Sequence, residues 1–141
     1  MQIVALAQVV ALAALAMNGK APNGDSWTPV AQTVESIYLL DEHSIERSSG
    51  LLTAWELVEY ASPQYADGVA YRSQTNLRVY RCADRTWDVL RVTRYSGSQR
   101  SGEAVLSSSF SPGEVTWHRA APDSVADHLM QRVCSLAGAA N

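Results

Sequence analysis

The 141-residue chain holds only two cysteines, Cys82 and Cys134, and no C-x-x-C or Cys/His spacing that would bind a metal. Its three histidines, His43, His118 and His128, never pair at i,i+4. There is no G-x-S-x-G elbow and no glycine-rich phosphate loop; "GSQRSG" (97–102) reads as a hairpin turn. Carboxylates such as Asp41 and Glu42 lie side by side in a turn, with nothing to tune their acidity. These absences leave no recognisable catalytic, metal or cofactor motif; short of a site assembled from residues distant in sequence, a protein that is not an enzyme is expected. Charge is scarce as well. Charged residues make up 18% and the net charge is −3, without the overall basic excess of a nucleic-acid binder. Beyond the first sixteen residues, no run is long and apolar enough to span a bilayer.

Those sixteen, "MQIVALAQVVALAALA", are apolar apart from two glutamines and end in an A-x-A site at Ala14-Leu15-Ala16. They read as a signal peptide over 1–16. A buried N-terminal helix and a membrane anchor are the alternatives, although an apolar run of about 14 residues falls short of the roughly 20 a span requires. Residues 17–26, which include "NGKAPNGDS", have the composition of a flexible linker. One domain over 27–137 is expected to follow.

Within it, "TVESIYLLD", "LLTAWELVEY", "GVAYRSQTNLRVYRC", "TWDVLRVTRY" and "EAVLSSSF" are rich in β-branched and aromatic residues. Turn clusters separate them: "DEHS", "RSSG", "SPQYADG", "CADR", "SGSQRSG" and "SPGE". This punctuation predicts an antiparallel meander of about six strands. Apolar residues occur on both faces of the strands, so each face should be covered at least in part. "APDSVADHLMQRVCSLAG" predicts a four-turn amphipathic helix, with Pro122 at its start, Asp123 and Ser124 near the cap and Gly138 as the stop. Val125, Leu129, Val133 and Leu136 form its apolar stripe, with Ala126, Met130 and Cys134 beside it; Asp127, His128, Gln131, Arg132 and Ser135 lie opposite. The fold class is α+β, a sheet with one C-terminal helix packed on it.

Cys82 closes a strand and Cys134 borders the helix's apolar half, so in an exported chain a Cys82–Cys134 disulfide is the default reading. Two separate buried thiols in a cytosolic protein are the alternative. The middle of this acidic chain is basic: Arg72, Arg78, Arg81, Arg85, Arg91, Arg94 and Arg100 have only Asp84 and Asp88 among them. Strand parity puts Arg78 with Tyr80 and Cys82, sends Arg81 to the opposite face, and puts Trp87, Arg91 and Tyr95 together. Arginine and aromatic residues are enriched at interfaces. Arg78, Arg81, Arg85, Trp87, Arg91, Arg94 and Tyr95 are therefore the candidate binding residues, for a protein or a polyanion. A solvated basic face over core aromatics is the plainer reading of the same residues.

The order "YLLDEHSIER", "AWELVEYASPQ", "YRS", Cys82, "YSGSQRSGE", Trp117 and "PDSVADHLMQRVC" resembles the bacterial surface-adhesin protein E-like family, from about Trp27 to Cys134. The resemblance implies an antiparallel sheet with a disulfide-attached C-terminal helix, and homodimers. It also implies a binding region over Arg78 to Arg94, whose partners are host extracellular-matrix or serum proteins or acidic glycans. No cysteine follows the leader, so no lipid anchor is expected and the location is the periplasm or the cell surface. The runner-up function is a periplasmic envelope protein with a structural or small-ligand-binding role.

Overall fold

A computed structural model describes residues 27–138; the expected signal peptide and linker lie outside the described residues. Eight strands form one antiparallel sheet: β1 (Trp27–Gln32), β2 (Ser36–Asp41), β3 (Glu46–Ser48), β4 (Leu51–Ala66), β5 (Val69–Arg81), β6 (Thr86–Tyr95), β7 (Ala104–Ser109) and β8 (His118–Arg119). The order across the sheet is β1-β2-β4-β5-β6-β7, the expected six-strand width, while β3 pairs with β4 and β8 with β6. A single α-helix, α1 (Val125–Leu136), follows among the described residues.

The hairpin turns follow from residue chemistry. Between β4 and β5, Asp67 and Gly68 both have positive φ (52° and 79°), and between β3 and β4 so do Ser49 and Gly50 (51° and 80°). Two central residues of positive φ twist in the same sense as the flanking strands, and glycine adopts that conformation without a Cβ penalty. The first turn is tighter than "SPQYADG" suggested. Strand pairing resumes at Gln64↔Tyr71, after a bulge that begins at Glu59 and takes up Ser62 and Pro63. A bulge tolerates a proline because no ladder hydrogen bond is asked of it. β1, which the sequence did not announce, is an edge strand containing Pro29, also a position where proline is permitted.

One face of the sheet packs on α1. Leu40, Leu52, Ala54 and Tyr80 meet Leu129, Met130 and Val133. The helix spans 12 residues, just over three turns rather than four. Ser124 caps it by accepting from the Asp127 N–H at 3.1 Å, and the backbone turns away at Gly138, φ 71°. The buried arc runs through Leu129, Val133, Met130 and Cys134, which rotates the expected stripe: Leu136 falls at the edge and is 49% exposed. Asp127, expected on the wet half, is buried instead because Arg85 reaches from the β5–β6 turn to pair with it. Cys82 and Cys134 are joined by a disulfide with Cα atoms 6.0 Å apart, which fastens the helix to the end of β5.

The face away from the helix buries Trp27, Ile37, Leu39 and Leu57. Its cover is the β6–β7 loop, folded back over the sheet. Gln99 N–H donates to Glu59 Oε2 at 2.7 Å. Arg100 N–H donates to Ser73 Oγ at 2.9 Å, and that hydroxyl donates in turn to Gly97 O at 2.7 Å. Burial of this face thus does not call for a second copy of the chain.

Desolvation pushes the Glu59 carboxyl up to about 7 from an ordinary 4.5, against the Gln99 hydrogen bond and the Arg72 charge. A carboxyl whose folded pKa exceeds its unfolded one binds its proton more tightly when folded, so it stabilises fully below about 4.5 and loses that contribution as pH rises through 7. Glu59→Gln keeps the acceptor and removes the charge. It is expected to raise stability at pH 8 by up to about 3 kcal/mol, with the gain gone at pH 4. Thermal melts across that range check this; a gain independent of pH would refute it.

Candidate functional site

The arginines of the basic middle do not form one patch: strand parity divides them between the two faces, and a bulge in β6 changes which face its later residues take. Arg78 pairs with Val89 but the preceding Leu77 pairs with Arg91, so Leu90 is an extra residue and the alternation inverts there. Trp87, opposite Tyr80, lies on the helix face. Arg91, opposite Leu77, and Tyr95, opposite Ser73, lie on the far face. The expectation that Trp87, Arg91 and Tyr95 share a face is therefore corrected: only the last two do.

On the helix face, Arg78 is 7% exposed and donates through Nε to Glu56 Oε1 at 2.9 Å. It is therefore a buried ion-pair member rather than a surface cation. Burial alone would lower its pKa, but the adjacent Glu56 carboxylate outweighs that and holds it above the ordinary value. Its guanidinium also stands 4.5 Å over the Trp87 ring. Glu56 accepts from Asn76 Nδ2, Asn76 from Gln74 Nε2 at 2.8 Å, and Gln74 from Arg94 Nε at 2.7 Å. Arg94 covers Tyr71 at 4.8 Å. The result is a polar ladder crossing β4, β5 and β6. Arg85 is spent on Asp127, whose carboxyl is held below its usual range by the Asp123 N–H, Gln131 and Arg85.

The far face has a different character. Three arginines stand over three tryptophans: Arg81 over Trp117 at 4.0 Å, Arg91 over Trp55 at 5.7 Å and Arg100 over Trp27 at 5.2 Å. Arg81 also bonds Thr86 at 3.0 Å and faces Asp84 at 3.4 Å. Arg91 and Arg100 have no ion pair among the described residues. Between them opens a cleft of about 300 Å³, lined by Trp27, Trp55, Thr75, Arg91, Thr93, Tyr95 and Arg100. The register places the strand residues of this lining on one face. No carboxylate lines it, so its two guanidiniums, three aromatic rings and three hydroxyls suit an anion better than a cation. Nothing in the cleft resembles a nucleophile beside a base.

Of the candidate residues, the structure thus brings Arg91 and Tyr95 into one site and puts Arg81 on the same face, farther along β5. Arg78, Arg85, Trp87 and Arg94 lie elsewhere. Trp27, Trp55 and Arg100 belong to the cleft but were not among the candidates. Trp55 was legible by its parity with Leu57, whereas nothing in "SGSQRSG" shows that its arginine folds back over β1.

A family model described as surface-adhesin protein E matches residues 27–135. Among solved structures, the fold is similar to Haemophilus influenzae protein E in crystal form II: 18% identity, 79% of this chain and 89% of that chain covered, TM-score 0.58. Protein E from non-typeable Haemophilus influenzae is also similar, at 18% identity, with 83% of this chain and 79% of that chain covered and a TM-score of 0.54. At such identity these likenesses speak for the fold alone. No curated protein matches the chain.

Proposed function

The chain belongs to the surface-adhesin protein E family, and from that premise we propose that it is an exported, non-enzymatic binding module whose partners are acidic. The binding face is the one turned away from α1. The observation that carries the reading is the row of three arginine–tryptophan pairs on that face. A guanidinium held over an aromatic ring keeps its charge and loses little freedom on meeting an anion. Host matrix or serum proteins and acidic glycans present such anions at a cell surface. Among the described residues no helix is long and apolar enough to cross a membrane. Location therefore depends on export: recovery of a tagged copy only from the cytoplasm would overturn the proposal.

Capture on immobilised heparin tests the charge directly. Binding should weaken with added salt, since screening confines the attraction to about 8 Å at physiological ionic strength. Arg81→Gln combined with Arg91→Gln should lower capture about fivefold, chiefly through slower association. Arg47→Gln and Arg119→Gln, outside the row, should leave it unchanged. Equal loss from both pairs would mean a diffuse attraction and would refute the proposed face.

A small-ligand role has one observation in its favour. A groove of about 450 Å³ lies between β1 and α1, with Pro29, Val30, Ala31, Ile37 and Val125 among its lining.

A further inference from the structure

We infer that the cleft between Arg91 and Arg100 is a subsite for a single carboxylated pyranose, the acidic sugar unit of a glycan chain. The inference rests on the proposed binding face and narrows it to one ligand class at one place. Three features of the cleft select this chemistry.

The first is charge. Arg91 is exposed, and neither it nor Arg100 meets a carboxylate among the described residues. One Arg100 terminal nitrogen, Nη2, is buried without a hydrogen-bond partner among the described residues. A buried donor left unpaired is costly, and a planar carboxylate matches the guanidinium fork. The second is the aromatic wall. Trp55 and Tyr95 border the space from the sheet, with Trp27 buried beneath Arg100, and the slightly positive C–H bonds of a sugar ring suit the negative faces of aromatic rings. The third is the ring of hydroxyls on Thr75, Thr93 and Tyr95, each able both to donate to and accept from a sugar hydroxyl. A volume of about 300 Å³ lies at the small end of ligand pockets, suited to one ring rather than to a chain. A bare inorganic anion would use the arginines and leave the aromatic wall unused.

The four tryptophans, Trp27, Trp55, Trp87 and Trp117, give four indole N–H resonances in a ¹⁵N-labelled sample, and these provide the readout. Titration with glucuronate should shift the Trp27 and Trp55 signals and leave that of Trp87 in place. Glucose, which has the ring without the charge, and inorganic sulfate, which has charge without the ring, should each bind at least tenfold more weakly. A parallel titration with N-acetylneuraminate separates a uronate source from a sialic acid source. Arg91→Gln should weaken glucuronate binding about tenfold, as loss of a charge-assisted hydrogen bond does, while Arg47→Gln has no effect. Sulfate binding as tightly as glucuronate would overturn the inference, as would shifts unaltered by Arg91→Gln or no shift at all. If heparin capture persists without glucuronate shifts, the binding face stands and the sugar subsite falls. If both fail, the face itself is wrong.

Discussion

Replacing Cys134 with serine is expected to lower the unfolding free energy by about 4 kcal/mol, the chain-entropy contribution of closing a loop of this length. The bridge joins positions 52 residues apart and ties the one α-helix among the described residues to the sheet. Without it α1 is held by Leu129, Met130 and Val133 and by two ion pairs, Arg85–Asp127 and Arg132–Glu42. The meander's own hydrogen bonds are untouched, so far-ultraviolet circular dichroism should still report the sheet while the urea midpoint falls. A reducing agent should bring the wild type down to the variant's stability and leave the variant unmoved. Equal stability of the two under oxidising conditions would show that the helix needs no staple.

A second large loss is expected from Glu56→Leu. Glu56 is fully buried and accepts from both Arg78 and Asn76. Its removal leaves the Arg78 guanidinium in the interior with the Trp87 ring as its main remaining contact. Stranding one member of a buried ion pair costs about 3–5 kcal/mol. Arg78→Leu in the same background removes the stranded charge and should restore much of that loss, because the pair itself contributes little beyond an apolar substitute. Urea melts of the two single variants and the double variant form the cycle that measures this. Simple additivity would mean that Arg78 finds another partner when Glu56 is gone.

These two experiments also mark what the sequence could and could not announce. The disulfide was legible because two cysteines in an exported-looking chain leave one pairing, and one lay at a strand end while the other lay on a capped amphipathic helix. Strands β2, β4, β5 and β6 were legible because β-branched and aromatic runs alternate with turn residues, whereas the short β3 lay in what read as a turn. β1 was not, since "WTPVAQ" has a proline and no alternation, and its pairing with β2 is what makes it a strand. Burial of Arg78 was equally hidden. An arginine in a strand reads as a surface residue unless its counter-ion is known, and Glu56 lies 22 positions away on the neighbouring strand. The candidate site was half legible: Arg91 and Tyr95 were singled out, but Trp27 and Arg100 reach the cleft only through the edge strand and the folded-back loop.

The bulge at Leu90 has a consequence for how relatives of this chain diverge. Val89 pairs with Arg78 and Arg91 with the adjacent Leu77, so Leu90 is a residue of β6 for which the ladder has no partner position. Deleting Leu90 would close the ladder without a kink, with Arg91, Thr93 and Tyr95 still on the far side and Val92 and Arg94 still on the helix side. A single codon lost here therefore straightens the strand while the surface chemistry of each face, the turns, the helix and the staple stay as they are. Two homologues that share every arginine but differ by a gap at this point would present the same faces to their surroundings.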